Sequence, residues 1–355
     1  MRVDFHFYAI YALARAAGLA PDDAYVIAYS SQYTDDEANP NKMDFENGGS
    51  FEPRITAHSL YSLSTISDRI CKQVWAPFHF IPGNEGGGED RLITRPNGEV
   101  IEKIIEEFLK NYSSLKYSPH LLGIILHVYA DTWSHQNFMG FRNKMNEVDE
   151  VKIEGEPNDF IEKLVAELGG EYLIPNIGHA QTASIPDEPN RRWSYIDYNG
   201  KALQIINLDR TVLAAQSCYN LLLKFLEKFP NLKDKPSLTW PQISASISGL
   251  FGTPGDLDNC INAWKSAISN GEIGCMPEGR DIDINYNDHE WFDEAIVWET
   301  PEKTQGEGSS HEDQYLKKNN FDISNFNLFN DAAGAYYASL FIKTAEGLGL
   351  EEVMI

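Results

Sequence analysis

Three features of the sequence predict a mainly α-helical fold, a multi-helix bundle with long decorated loops. Apolar residues recur at three- and four-residue spacing in several long runs, proline and glycine bracket those runs, and no internal repeat, coiled-coil heptad or low-complexity tract competes with them. At 355 residues the chain is long enough for a sizeable core, and residues 1–355 are expected to form one helical domain. Its metal-site motifs fall in 1–190, with helical and loop elaboration in 191–355.

The elements follow in order. Asp4 is a candidate N-cap for a helix from Phe5 to Ala17, and Gly18 can close it in the left-handed conformation. A second helix begins at Pro21, with Asp22 and Asp23 in its first turn, and is broken by "TDDEANPN". Residues 37–53 are rich in Asn, Gly and Pro and predict a loop, while 54–80 fit strand or helix equally. The glycine-rich segment 83–90 lacks the Gly-Lys-Ser/Thr ending of a phosphate loop and is expected to be a lid beside His79. Further helices are expected at "EVIEKIIEEFLKNY", at "HLLGIILHVYADTWSHQ" with Ser118 as cap and Pro119 at the first helical position, and at "PNDFIEKLVAELGG". A polar stretch over 175–201 precedes the long amphipathic run "NLDRTVLAAQSCYNLLLKFLEKF". Two more helices are predicted at "TPGDLDNCINAWKSAISNG" and "FNDAAGAYYASLFIKTAEGLGL", with an irregular acidic excursion over 275–325 between them.

Charge and cysteine content narrow the function classes. Acidic residues number 53 against 29 basic, a net charge of -24, so attraction to nucleic acid or to an anionic membrane is not expected, whereas cations are favoured. No apolar run reaches the length of a membrane span, and the start carries no signal-peptide pattern. Cys71, Cys218, Cys260 and Cys275 lie far apart with no CxxC pair, which predicts reduced thiols and a cytoplasmic setting. Neither a Gly-x-Ser-x-Gly elbow nor a cysteine nucleophile motif is present.

The segment "HLLGIILHVYADTWSHQ" carries the chemistry. His127, Asp131 and His135 are each four residues apart, so on a helix they line one face of an otherwise apolar element. Burying them without partners would cost several kcal/mol, and a metal ion satisfies imidazoles and carboxylates together. Gly123, one turn before His127, would admit a neighbouring helix at close range. His120 falls on the same side but in the first turn, where exposure is the default, and is left out of the set. His6 in "DFHFY" and His79 in "PFHF" are polar rings among aromatics, and His58 and His179 also follow apolar residues. Only His289 and His311 have the polar surroundings of surface histidines. Asp35 and Asp36 end the second helix, where negative charge is unfavourable unless a cation is near.

These motifs, "DFHFY" at 4–8, "SQYTDD" at 31–36, "PFHFIP" at 77–82 and "LHVYADTWSHQNFMG" at 126–140, resemble those of an uncharacterised bacterial family of unknown function. More distantly, the arrangement is similar to the zinc-dependent phospholipase C and P1-type nuclease family. That similarity implies a helical fold with metal ions hydrolysing phosphate esters. It assigns His6 and Asp131 to one ion, Asp35 or Asp36 with His58 or His79 and His127 to a second, and His135 with His179 to a third. Two departures, the Met1-Arg2 start without a cleavage signal and Ala183 in place of a glutamate four residues after His179, make one or two ions the expectation.

The resulting expectation is a metal-dependent hydrolase acting through a metal-bound water on a small-molecule substrate, with phosphoesters the leading class. Zinc is the favoured metal, with iron or manganese as alternatives. Asp35 or Asp36 would take the water's proton, and Trp133, Trp75 and neighbouring phenylalanines would wall the site. The alternatives are a non-enzymatic, metal-stabilised binding or structural protein and a di-iron or HD-like His-carboxylate enzyme. Oligomeric state is left open by the sequence.

Overall fold

Gly18 makes the first turn of the chain. In the computed structural model, which describes residues 1–58, 67–157, 176–273, 276–299 and 314–351, helix α1 runs as a π-helix over Asp4–Ala9 and as an α-helix over Ile10–Ala17. It stops at Gly18, whose φ of 106° would strain any side chain and whose added Cβ would collide with the Lys235 carbonyl oxygen. Asp4 does not cap this helix. It lies buried inside the first turn, and its Oδ2 accepts from Arg2 at 2.9 Å. Helix α2, Pro21–Asp36, starts with proline and two aspartates as predicted.

The expected loop over 37–53 contains two short antiparallel strands, β1 at Met43–Asp44 and β2 at Ser50–Phe51. Within 54–80, residues 59–66 lie outside the described residues; beyond them, α3 at Asp68–Ile70 passes into a π-helix over Cys71–His79. Pro77 stands inside that π-helix, where its missing N–H and its ring disfavour a regular α ladder. The glycine-rich segment is held at both ends: the N–H of Gly83 reaches Ile93 O at 2.9 Å, and the Arg91 guanidinium donates to Gly349 O at 3.0 Å.

Helix α4, Glu99–Glu107, continues through a π-turn over Phe108–Tyr112, and α5 spans Ser118–Ser134. Ser118 is not the cap: its hydroxyl donates to the carbonyls of Tyr112 and Leu115 at 2.7 and 2.6 Å. The helix expected at 157–170 falls almost wholly outside the described residues. A three-stranded antiparallel sheet of β3 (Val148–Ile153), β4 (Arg192–Asp197) and β5 (Ala202–Ile206) partly occupies what reads as a polar stretch. The long helix α6, Asn207–Lys228, follows as predicted. An unanticipated helix, α7 at Trp240–Phe251, starts with a Thr239–Gln242 capping box, and α8 spans Leu257–Ser269. The acidic excursion holds a short helix, α9 at Glu290–Ala295, and two paired strands, β6 at Ile296–Glu299 and β7 at Gln314–Lys317. Helix α10, Asn325–Ala335, runs on through a π-helix over Tyr336–Phe341 into Ile342–Gly347.

The fold is therefore mainly α with small sheets. Helix α5 packs against α2, α6 and α10, which makes it the central element. Its Gly123 is the contact point with α2, since an added Cβ would run into Ile27 O and approach Ser30 Cβ to 2.5 Å. One apolar cluster draws on residues from Met1 to Leu350; a second joins Phe80, Phe138, Ile153, Ile185, Trp193, Tyr195 and Ile205. Among the described residues no helix is long and apolar enough to cross a membrane.

Candidate metal centre

The polar face of α5 looks inward. His127 and Asp131 are 0 and 1 % exposed, and His135, the residue that caps the helix, is 5 % exposed. Apolar neighbours on every other face of α5 hold this stripe in the core, so its polar atoms must find partners there. Two of them come from π-helical turns: His6 from the opening of α1, and His79 from the last position of Cys71–His79. π-turns recur at functional sites because the extra residue redirects a side chain that a regular ladder would aim elsewhere. Asp35 arrives from the last turn of α2, and His179 and Asp187 come from the segment leading to β4.

Asp131 lies among three groups, the first two of which share His127, and its Oδ2 is 3.6 Å from His135 Nδ1 of the third. His6, His127 and Asp131 form the first, Asp35, His79 and His127 the second, and His135, His179 and Asp187 the third, with the donor atoms of each group within 4.8 Å of one another. Asp131 Oδ1 lies 3.1 Å from His6 Nε2, and its Oδ2 lies 3.3 Å from His127 Nε2. His127 Nε2 faces His79 Nδ1 at 3.3 Å, and Asp35 Oδ1 lies 3.5 Å from His79 Nδ1 and 3.7 Å from His127 Nε2. In the third group Asp187 offers one oxygen to His135 Nε2 at 3.0 Å and the other to His179 Nε2 at 3.2 Å. Four ligands on a tetrahedral zinc, each about 2.0–2.1 Å from the ion, lie roughly 3.3 Å apart. Several of the observed separations are too long for a hydrogen bond yet have this spacing.

Backbone carbonyls fix three of the rings. His79 Nε2 donates to Thr56 O at 2.9 Å, His135 Nδ1 to His79 O at 2.7 Å, and His179 Nδ1 to Ala183 O at 2.9 Å. A carbonyl only accepts, so each of these nitrogens carries the proton and the opposite nitrogen presents a lone pair to its group. This is the outer support that metal-binding imidazoles require. Among the described residues, Asp131 Oδ2 and the Nδ1 atoms of His6 and His127 have no hydrogen-bond partner. The unpaired Asp131 Oδ2 among His79, His127 and His135, in a donor set of imidazoles and carboxylates, fits a divalent cation such as zinc, iron or manganese.

Electrostatics points the same way. Burial pushes His6 well below the usual imidazole range and His127 down to about 4, and it lowers His135, so these rings are neutral near pH 7. For His179, burial opposes protonation, but the Asp187 charge prevails and raises it. Burial alone would raise Asp131, yet His135, the Met1 ammonium and the other rings hold it well below the carboxylate range. Asp35 is raised well above that range by burial and then by the charge of Asp131. That repulsion is what a cation between the two carboxylates would relieve.

The structure thus brings together seven of the residues singled out in the sequence: His6, Asp35, His79, His127, Asp131, His135 and His179. Asp36 is not with them. It turns to the outside of α2, accepting from Tyr286 Oη at 2.5 Å and Gln32 Nε2 at 3.2 Å. Successive helix positions are about 100° apart, so Asp35 and Asp36 cannot share a face. His58 is half-buried and belongs to none of the three groups, while the Thr56 carbonyl two residues earlier orients His79. His120, excluded for expected exposure, is in fact buried, with Nε2 3.0 Å from Asn325 Oδ1. His289 is exposed, and His311 lies outside the described residues.

Two groups were not anticipated. Asp187, eight residues beyond His179, completes the third set, and the Met1 ammonium lies 2.5 Å from Asp131 Oδ1 and 3.1 Å from Asp187 Oδ1. The aromatic wall also differs: Trp75 contacts the His79 ring and Phe80 stacks on His135 at 4.5 Å, whereas Trp133 packs on the main core.

The sequence profile of a family described as "Family of unknown function (DUF6765)" matches residues 1–343. The chain belongs to this family. The DUF6765 match extends well past the first 190 residues, where the recognisable motifs lie, and so includes the β3–β5 sheet and helices α6 to α9. No curated protein and no solved structure matches the chain, so no link to the phospholipase C and P1-type nuclease family comes from these comparisons.

Proposed function

We propose that this protein is a metal-dependent hydrolase acting on phosphate esters. The observation that carries the proposal is Asp131: a buried carboxylate whose two oxygens face different imidazole sets and whose Oδ2 has no hydrogen bond among the described residues. His6 and Asp131 would hold one cation, His79, His127 and Asp35 a second, and His135, His179 and Asp187 a third. Zinc suits this donor set best. A cation bound there supplies the chemistry by acidifying water toward neutrality and by offsetting charge on phosphoryl oxygens.

The chain's own groups do the rest. His79, His135 and His179, held by carbonyls, keep their lone pairs aimed at the groups without reorganisation. Asp35 is the cluster member most open to solvent, its side chain 29 % exposed, which puts the entry for substrate on its side. With Oδ1 turned toward His79 and His127, its Oδ2, 3.9 Å from His6 Nε2, would take a proton from water once a bound cation has offset the burial and the Asp131 charge that raise its pKa. In a chain of net charge -24, an anionic substrate would rely on the bound cations for its attraction. Trp75 and Phe80 would exclude bulk water from the far side. A reduced, cytoplasmic setting fits the buried, unpaired Cys71, Cys218 and Cys260.

A closed structural metal site is the second candidate, favoured by the burial of His6, His127 and Asp131. The two separate in one experiment: elemental analysis of untagged protein, with a phosphomonoester and phosphodiester panel run with and without chelator on wild type and Asp131→Asn. A hydrolase loses about a hundredfold or more in rate with the chelator and with the substitution. Activity indifferent to both, or metal-bound protein inert toward the whole panel, overturns the hydrolase.

A further inference from the structure

Asp187 sits on a short turn, Ile185–Asp187, whose geometry is set from outside the metal groups. Asn207, the first residue of α6 and 1 % exposed, reaches it with both side-chain donors: Nδ2 gives hydrogen bonds to Ile185 O at 2.6 Å and Glu188 O at 2.9 Å. Its Oδ1 accepts from Trp193 Nε1 at 2.9 Å, and its backbone N–H donates to Arg191 O at 3.0 Å, which closes the knot. The carbonyls on either side of Asp187 are therefore tied to one buried amide. Both amide hydrogens and the amide oxygen of Asn207 are engaged.

We propose that Asn207 is a positioning residue for the third metal group, setting the place of Asp187 between His135 and His179 and so controlling that ion separately from the other two. The inference rests on the metal-centre assignment above. None of the ligands of the first two groups touches the knot; they ride on α1, α2, α5 and the π-helix ending at His79. Asp187 is the group member carried on the tied turn, and the Met1 ammonium is its contact with Asp131, so a fault at Asn207 falls first on the third ion.

Substituting Asn207→Asp keeps the size and the acceptor toward Trp193 but replaces the two donors by a carboxylate oxygen facing two carbonyls. Asn207→Ser removes the long reach yet leaves a residue well suited to a helix N-terminus, which keeps one foldable variant in hand. Trp193→Phe keeps an aromatic ring in the second apolar cluster but removes the indole N–H that donates to Asn207 Oδ1, leaving both Asn207 donors in place. His179→Ala, which removes a ligand of the third group, gives the reference signature. The full-length protein is loaded with zinc alone, the bound equivalents are measured with competing chelators, and the same proteins are loaded with cobalt for absorption spectra.

The expected result is that Asn207→Asp and Asn207→Ser weaken one zinc equivalent by 10–100-fold and shift the same cobalt bands as His179→Ala, while Trp193→Phe binds as wild type. If both Asn207 variants fold and keep every equivalent at wild-type affinity, the assignment of Asn207 is overturned. If His179→Ala binds as many ions as wild type, no third ion is held there and the inference fails while the first two groups stand. If wild type binds no zinc, iron or manganese at all, the metal centre itself is overturned.

Discussion

Single side chains explain most of what the sequence made legible. An i, i+4, i+8 stripe of His127, Asp131 and His135 inside apolar sequence is visible because helix periodicity converts spacing into a face. Asp187 was hidden because it is one acid in a polar stretch of an acidic chain, and nothing in spacing relates it to α5. The Met1 ammonium was hidden for a different reason, since a backbone group carries no side-chain signature. His120 shows how a default can mislead: first-turn position suggested exposure, but Asn325 and Trp291 cover it, with the Trp291 ring 5.3 Å away. Burial lowers its pKa from 6.5 to about 4, against the Asn325 hydrogen bond. A ring whose folded pKa is depressed costs nothing above the unfolded value and destabilises as pH falls from about 6.5 toward 4, because only the unfolded chain takes the proton. The expected loss is about 3 kcal/mol across that window. Urea unfolding at pH 7 and pH 4 should show His120→Gln losing less stability than wild type by about that amount; equal losses would refute the burial argument.

Helices and strands differ in how much they announce themselves. Long amphipathic runs such as α6, and the proline start of α2, were readable because packing and capping both act locally. The β4–β5 hairpin was passed over, although Trp193 and Tyr195 alternate inward and an Asn199-Gly200 turn follows, because the flanking charges Arg191, Arg192, Asp197 and Lys201 dominate the composition. Helix α7 was passed over despite its Thr239 capping box. The π-helical segments at Asp4–Ala9 and Cys71–His79 left no periodic mark either, since one extra residue shifts the phase only locally. Where α2 crosses α5, Gly123 is the tightest point described on α5, and it fixes the distance between Asp35 and the His127–Asp131 face. Gly123→Val should cost about 2–3 kcal/mol by overpacking and weaken metal binding at the second group together with stability. Thermal melts and chelator competition check it; unchanged zinc affinity in a folded variant would show that the crossing does not set the site.

At the scale of the whole molecule, a net charge of -24 with several carboxylates gathered in the interior makes cation binding a stability term. Zinc at a hundredfold excess over its dissociation constant should raise unfolding free energy by about 2.7 kcal/mol per independent site, and a chelator should reverse it. A melting temperature blind to both would count against the metal centre. We infer a single folding unit over residues 1–355. Yet the apolar interior is divided in two, with α1, α2 and α5 in the larger part and Phe80, Phe138 and the β3–β5 sheet in the smaller. His135 rests against Phe80, and its Nε2 meets Asp187 from beyond that boundary. An ion in the third group would act as a rivet through the seam between them. Calorimetry should accordingly record one melting step for the loaded protein and two for the stripped one, making the cooperativity of unfolding itself something that the supply of metal decides.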